Sequence, residues 1–303
     1  MALVGGSAAV SHVLVDAPLF TAQALRYAAA AVLLLVVARA RGIRLVPPRG
    51  VEWVWLTAVA ATGLVLFNVA LVRGAAHAEP AVLAVAVACA PVLLGVVGPL
   101  LEHRRPRSRV VAAAVVVTVG AVVVEGAGRA DAVGVLWAVV ALACEAAFTL
   151  LALPVLGRHG AWGVSVHAVW IGAVLFATLA LPAEGWTAAA RLDARDLLAV
   201  AFLAALVTAA AFVLWYGAVG ALGSDRAGLL TGVAPVSAAV AGMVGGLATP
   251  TLGVWVGIGV VGAGLGLGLV PGTVGADRSA PSRRFLCAVV RSTAWPRSRS
   301  ARP

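Results

Sequence analysis

An acidic residue deep inside an apolar run is where chemistry is sought first. Glu145 stands in the stretch Ala-Leu-Ala-Cys-Glu-Ala-Ala-Phe. A carboxyl at hydrocarbon depth costs about 2.5–3.5 kcal/mol on insertion scales, so it must face a protein interior or water. Held there, it can exchange a proton, which makes a proton or cation site one reading. A neutral carboxyl bonded to a neighbouring helix is the other. His167 is the candidate partner. At about 1.5 Å per residue, Glu145 and His167 both fall about 8–13 Å in from one membrane face. Imidazole changes charge near neutral pH, although a packing histidine bonded to backbone fits the same position.

Arg26 lies in an apolar run about 12 Å from the opposite face. Its fork of donors suits a substrate carboxylate, and it suits tying helices together equally well. Asn68 is the only asparagine in the chain and lies within another apolar run. A carboxamide both donates and accepts, which fits a zwitterionic ligand or a bond between helices. Trp215 and Tyr216 are adjacent, near one end of their run. An interfacial aromatic belt is the ordinary reading, and the lining of a cavity mouth is the sharper one. His77 and Glu79 precede a helix start as gate or cap, and Glu102 abuts arginines as a helix-end charge pair.

The elements that must position these residues are membrane helices. The 303 residues are 62% hydrophobic and 11% charged, with mean hydropathy +1.05. A soluble domain carries about 25% charge. The fold expected is therefore all-α, a polytopic membrane protein. Ten apolar segments can be marked, at residues 1–15, 19–38, 51–72, 80–101, 110–124, 133–153, 162–181, 197–219, 227–248 and 252–270. The first covers about 23 Å of a core about 30 Å thick, so either it is a thin or tilted span or, the preferred reading, the natural start lies further upstream. No cleavable leader is evident in it.

Every basic residue other than histidine is an arginine. Loops holding Arg39, Arg41, Arg44 and Arg49, then Arg104, Arg105, Arg107 and Arg109, then Arg158, then Arg226, alternate with loops holding only Arg73, Arg129, Arg191 and Arg195. The bias places both termini in the cytoplasm. The net charge of +10 is thereby a topology signal, and nucleic acid is not an expected partner. Residues 272–303, rich in Arg, Ser and Pro, read as a disordered basic tail lying in the cytoplasm, where anionic lipid can attract it.

The chain also repeats itself. Pro91 and Pro235, Gly98 and Gly242, Pro106 and Pro250, and Gly120 and Gly264 are each 144 positions apart. The offset divides the chain into residues 1–125 and 131–270, five segments each. Because five is odd, the second set must enter the membrane inverted. Secondary carriers are built this way, with the site at the interface of the halves. Cys89, Cys144 and Cys287 show no CxxC or metal-ligand spacing, so neither a disulfide nor a cofactor or metal site is expected. No GxSxG, HExxH or Walker A sequence occurs, which argues against an enzyme and against an ATP-driven pump.

Several short stretches carry a family resemblance. Arg26-Tyr27 before Ala-rich and Leu-rich turns resembles the second helix of EamA-type members of the drug/metabolite transporter superfamily. Pro91 and Pro235 resemble the prolines of that family's fourth and ninth helices. Trp215-Tyr216-x-Ala-Val, Leu222-Gly223 and Arg226-Ala227 resemble its eighth-to-ninth helix passage, and Leu101-Glu102 resembles the end of its fourth helix. Two departures stand out: Gly5-Gly6-Ser7 replaces an opening Trp-Gly-Ser, and Gly245-Gly246-Leu247 replaces a second Leu-Gly-Glu. The resemblance covers about residues 1–270. It implies a ten-helix inner-membrane carrier, often an exporter of amino acids or small metabolites. The odd-numbered repeat and the few buried polar groups, apart from the resemblance, suggest that Glu145 handles a coupling proton and that Arg26 and Asn68 orient the cargo. Import of a nutrient, flipping of a lipid-linked metabolite, and a membrane-embedded enzyme or scaffold remain as alternatives, and the oligomeric state is open.

Overall fold

Runs of alanine, valine and leucine in hydrocarbon leave the backbone no partner but itself, so they fold as helices. The computed structural model describes residues 1–3, 14, 17–126, 128–244 and 251–269. Among these residues stand nine helices long and apolar enough to cross a membrane. They are α1 (Leu19–Ala40), α2 (Glu52–Ala75), α3 (Pro80–Leu101), α4 (Ser108–Glu125), α5 (Ala132–Leu150), α6 (Leu153–Glu184), α7 (Ala194–Leu222), α8 (Ser224–Val244) and α9 (Leu252–Leu269). Val32, Val36, Val54 and Leu214 are 59–64% exposed on their outer faces. Apolar surface of that extent requires lipid or a partner. The chain is an all-α, multi-pass membrane protein. The expected first segment lies mostly outside the described residues, as do the expected basic tail and Gly245-Gly246-Leu247.

Two helices are longer than the apolar runs suggested. The segment expected at 162–181 belongs to α6, which begins at Leu153. Gly160 interrupts it with φ 63° and ψ 177°. Residues with a Cβ are essentially barred from that conformation. A short stretch at 153–159 therefore meets the main rod at an angle. The segment expected from 197 starts at Ala194, because Asp193 and Asp196 close a reciprocal capping box around its first turn.

Three pairs of helices that correspond across the 144-residue offset pack on each other and run antiparallel. In the α1–α6 pair, the backbone N–H groups of Phe20 and Thr21 donate to Glu184 at 2.8 Å, while Tyr27 stacks on Phe176 at 5.4 Å. In the α3–α8 pair, Gly98 abuts Ser224 and Gly228 abuts Leu94. In the α4–α9 pair, Gly120 meets Gly257 and Val261, and Gly264 meets Val117 and Ala113. Residue numbers rise along one partner and fall along the other every time, as inverted repeats require.

Two irregularities obey the same offset. Residues Ala60–Leu66 of α2 and Leu203–Ala210 of α7 are π-helical. Such segments are rare and concentrate at functional sites.

Glu184 fixes the start of α1. It accepts from two backbone N–H groups and from Thr21 Oγ1 at 2.6 Å, where a helix N-terminus has unsatisfied donors. Replacing it with alanine is expected to cost about 1–3 kcal/mol, the range for hydrogen bonds to a charged group. A thermal melt in detergent reads this as a lowered midpoint, with Glu184→Gln intermediate. An unchanged midpoint in Glu184→Ala contradicts the capping role.

Candidate functional site

Three helices bring one polar cluster together. α1 supplies Gln23, Arg26 and Tyr27, α2 supplies Asn68 just after its π segment, and α7 supplies Thr208 from within its own. Gln23 and Arg26 are three residues apart and share a helix face. Gln23 Nε2 donates to Asn68 Oδ1 at 2.9 Å. Asn68 Nδ2 donates to the Leu64 carbonyl at 2.7 Å and reaches Tyr27 Oη at 3.5 Å. Arg26 Nε donates to Thr208 Oγ1 at 2.9 Å, and its Nη1 lies 3.4 Å from Gln23 Oε1. The guanidinium carbon also sits 5.3 Å from the centre of the Tyr27 ring.

Arg26 and Asn68, both expected from the sequence, are thus joined through Gln23, which was not. Thr208 was not expected either. Every partner given to Arg26 is neutral, and among the described residues no carboxylate lies within ion-pair distance of it. A guanidinium offers five N–H donors, and the described residues take two of them. Thr208 belongs to the second half and the other members to the first, so the cluster bridges the halves.

Glu145 lies elsewhere, on α5. Phe148 and Thr149 follow it by three and four residues, on the same face. That face meets α7: Trp215 Nε1 donates to Thr149 Oγ1 at 3.0 Å, and Tyr216 Oη donates to the Phe148 carbonyl at 3.0 Å. Trp215 is 7% exposed and Tyr216 is 0% exposed. The interfacial belt expected of this pair is therefore corrected. Their polar tips find acceptors inside the protein, so the rings pack in the core rather than at the headgroups. Glu145 itself is partly buried, and no described residue gives its side chain a hydrogen bond.

The expected pairing of His167 with Glu145 is also corrected. His167 Nε2 donates to the Val46 carbonyl at 3.0 Å, and Trp170 Nε1 donates to His167 Nδ1 at 3.1 Å. Both ring nitrogens are occupied, by backbone and by indole. Of the smaller expectations, Glu102 does pair with Arg104, and it also accepts from Ser224 Oγ at 2.9 Å. Arg104 in turn lies 3.7 Å from the buried Asp225. His77 bonds Asp131 at 2.9 Å, and Glu79 bonds Arg129 at 3.1 Å. Asp131 caps α5 by accepting from Gly134 N–H. That bond, with His77, holds its carboxyl below the ordinary aspartate range. The cap therefore persists at neutral pH and is lost as acid titrates through the lowered value.

A cavity of about 460 Å³ opens between the start of α1 and the end of α6, lined by Ala17, Pro18, Ala183, Glu184, Arg191, Asp193 and Asp196. It contains none of the residues expected from the sequence. Gln23 lies about 7.5 Å further along the axis of α1 than Pro18.

Antiparallel pairing of corresponding membrane helices, with a polar cluster where the halves meet, defines a membrane transporter of the inverted-repeat kind. Comparison with known proteins agrees. The model of the EamA-like transporter family matches residues 1–125 and 132–269, and the chain belongs to that family. Among curated relatives, the protein called Uncharacterized transporter YetK, of Bacillus subtilis (strain 168), is 26% identical over 250 residues, which span 79% of this chain and 75% of its own. A protein of known crystal structure superposes with a TM-score of 0.73 over 88% of this chain and 94% of its own. At 21% identity that likeness is one of fold alone.

Proposed function

We propose that the chain is a secondary carrier of the cell inner membrane that exports a small metabolite bearing a carboxylate, such as an amino acid. Both termini lie in the cytoplasm in this reading. The observation that carries it is Arg26, a cation whose described partners are all neutral, bonded at once to Gln23 of its own half and Thr208 of the other. A carboxylate entering there gains charge-assisted bonds that nothing else in the described cluster offers. Asn68 and Gln23 add donors and acceptors for the rest of the cargo. Rocking of the halves changes the Arg26–Thr208 contact directly, which ties cargo binding to alternating access.

Glu145 takes the coupling proton in this scheme, on the face of α5 that Trp215 and Tyr216 hold against α7. His167 supports that end of α6 through the Val46 carbonyl.

The experiment is counterflow in liposomes carrying the purified protein, preloaded with single amino acids or organic acids. Exchange of at least one carboxylate solute is expected. Exchange of amines or sugars alone contradicts the reading. In the same vesicles Glu145→Gln is expected to keep exchange while removing the response of net flux to an imposed pH gradient. An undiminished response removes Glu145 from the scheme.

A further inference from the structure

Two groups of polar side chains cross between the halves on the membrane side that carries the arginine-rich loops. Glu52 opens α2, in the first half. Its Oε1 accepts from Arg158 Nη1 at 2.5 Å, and its Oε2 accepts from the Arg49 backbone N–H at 2.8 Å. His159 Nε2 lies 3.2 Å from the same Oε2. Arg158 and His159 belong to the short stretch before Gly160, in the second half.

The second group stands where α3 meets α8. Ser224 Oγ, at the start of α8, donates to Glu102 Oε1 at 2.9 Å, just past the end of α3. Arg104 Nε donates to the other oxygen of Glu102 at 2.9 Å, and Arg104 Nη2 lies 3.7 Å from Asp225 Oδ1. One guanidinium thus stands between an anion of each half. Gly98 abuts Ser224 and Leu94 abuts Gly228, whereas Gly232, one turn further along α8, faces Val117 of α4. The polar group therefore sits at the arginine-rich end of the α3–α8 contact.

The cargo cluster lies toward the other side. Arg26 is about 11 Å beyond Leu19 and about 21 Å short of Ala40, where α1 runs into the first arginine-rich loop. The cavity bordered by Pro18 and Glu184 opens near the Leu19 end. A solute moving between the halves from Arg26 to the arginine-rich side meets both polar groups.

We infer that the Glu52–Arg158 pair and the Glu102–Ser224 bond, with Arg104 and Asp225, are two clasps of one gate, which part together when the carrier opens on the arginine-rich side. The inference rests on the alternating-access reading above, and not on the cargo or on Glu145. Each clasp joins a side chain of one half to a side chain of the other, so separating the halves breaks both. Each opens at modest cost because its cation already meets water. The Arg158 side chain is 34% exposed and that of Arg104 is 37% exposed. Water can replace a carboxylate there, and partly exposed ion pairs are weak. The anions are the sheltered members, Glu52 at 17% and Asp225 at 2%. Opening brings water to them, so no bare charge is left in hydrocarbon.

The test is hydrogen–deuterium exchange of the purified full chain in detergent at one pH. Each variant is read at the clasp it leaves intact. For Arg158→Gln these are the backbone amides of residues 98–106 and 222–230, and for Ser224→Ala those of residues 49–56 and 155–162. The remote amides are expected to exchange about tenfold faster, the shift that losing one hydrogen bond to a charged group makes in an opening equilibrium. Arg158→Lys keeps the charge without the planar fork and is intermediate. Residues 17–24 and 180–187, on the opposite side, keep their protection. The variants act at different clasps, so either serves alone if the other does not fold. A change confined to the altered clasp overturns the inference, as does no change, or an equal loss on the opposite side, which marks general loosening. No cargo is present in this measurement. Failure to exchange any carboxylate in liposomes would leave the gate standing, and failure of the gate would leave carboxylate counterflow standing.

Discussion

Replacing Arg26 with glutamine is expected to weaken cargo binding by about ten- to hundredfold, the loss of a charge-assisted hydrogen-bonded contact of about 1.5–3 kcal/mol. Glutamine keeps a donor for Thr208 and fits the volume, so the helices should still assemble. Counterflow in liposomes would then show half-saturation moved upward with the protein's melting temperature little changed. Arg26→Lys separates charge from geometry. The ammonium keeps the cation but cannot hold Thr208 and a carboxylate with one planar fork. It is expected to recover part of the lost affinity and no more. If both variants exchange cargo like the unaltered protein, Arg26 is a packing residue and the binding assignment goes with it.

The second large effect is expected where α4 crosses α9. A methyl group added at Gly257 would stand 2.8 Å from the Gly120 carbonyl oxygen and 2.9 Å from the Val124 nitrogen. At Gly120 it would stand 2.7 Å from the Val261 nitrogen. These obstacles are backbone atoms, which cannot rotate aside. Helices in lipid associate through van der Waals packing at small residues, because lipid tails offer no hydrophobic drive between them. Gly257→Ala is therefore expected to destabilise by about 1–3 kcal/mol, as overpacking does, and Gly120→Ala similarly. The same helix supplies its own control. Gly259, Gly262 and Gly266 have no atom within 4 Å of an added Cβ. Alanine there is expected to be neutral or slightly stabilising, through helix propensity. Thermal melts in detergent compare the two sets, and equal effects would mean that the crossing does not depend on its glycines.

Much of the architecture could be read from residues alone, because a bilayer leaves so few options. Apolar length gave the rods, and two prolines at one spacing matched helices that pack antiparallel. Arg26 and Asn68 could be found because a charged or amide side chain is conspicuous in hydrocarbon. Gln23 carried the same signal: it is the only glutamine and lies one turn from Arg26. Thr208 did not, since a threonine can satisfy itself on its own helix and leaves no mark in a sequence. Depth alone does not pair His167 with Glu145. Two groups at equal depth can face different neighbours, and the indole of Trp170 at the next turn was the better clue. A position near a helix end suggests headgroups for Trp215 and Tyr216, but α5 offers acceptors within the protein. Nothing in Ala-Ala-Thr-Gly-Leu-Val-Leu or Leu-Ala-Ala-Leu-Val-Thr-Ala-Ala announces a π-helix, because the bonding register is set by what packs around it.

Those two stretches give each half some slack. A π-turn holds more residues per turn than the α-spiral. Where a widened turn relaxes to the regular winding, the residues beyond it swing about the rod axis while the rod stays bonded throughout. Asn68 lies just past one such turn and Thr208 within the other. Each of the two residues that meet Gln23 and Arg26 can therefore be withdrawn by unwinding the bulge on its own helix, with no rod broken and no backbone group left exposed to lipid.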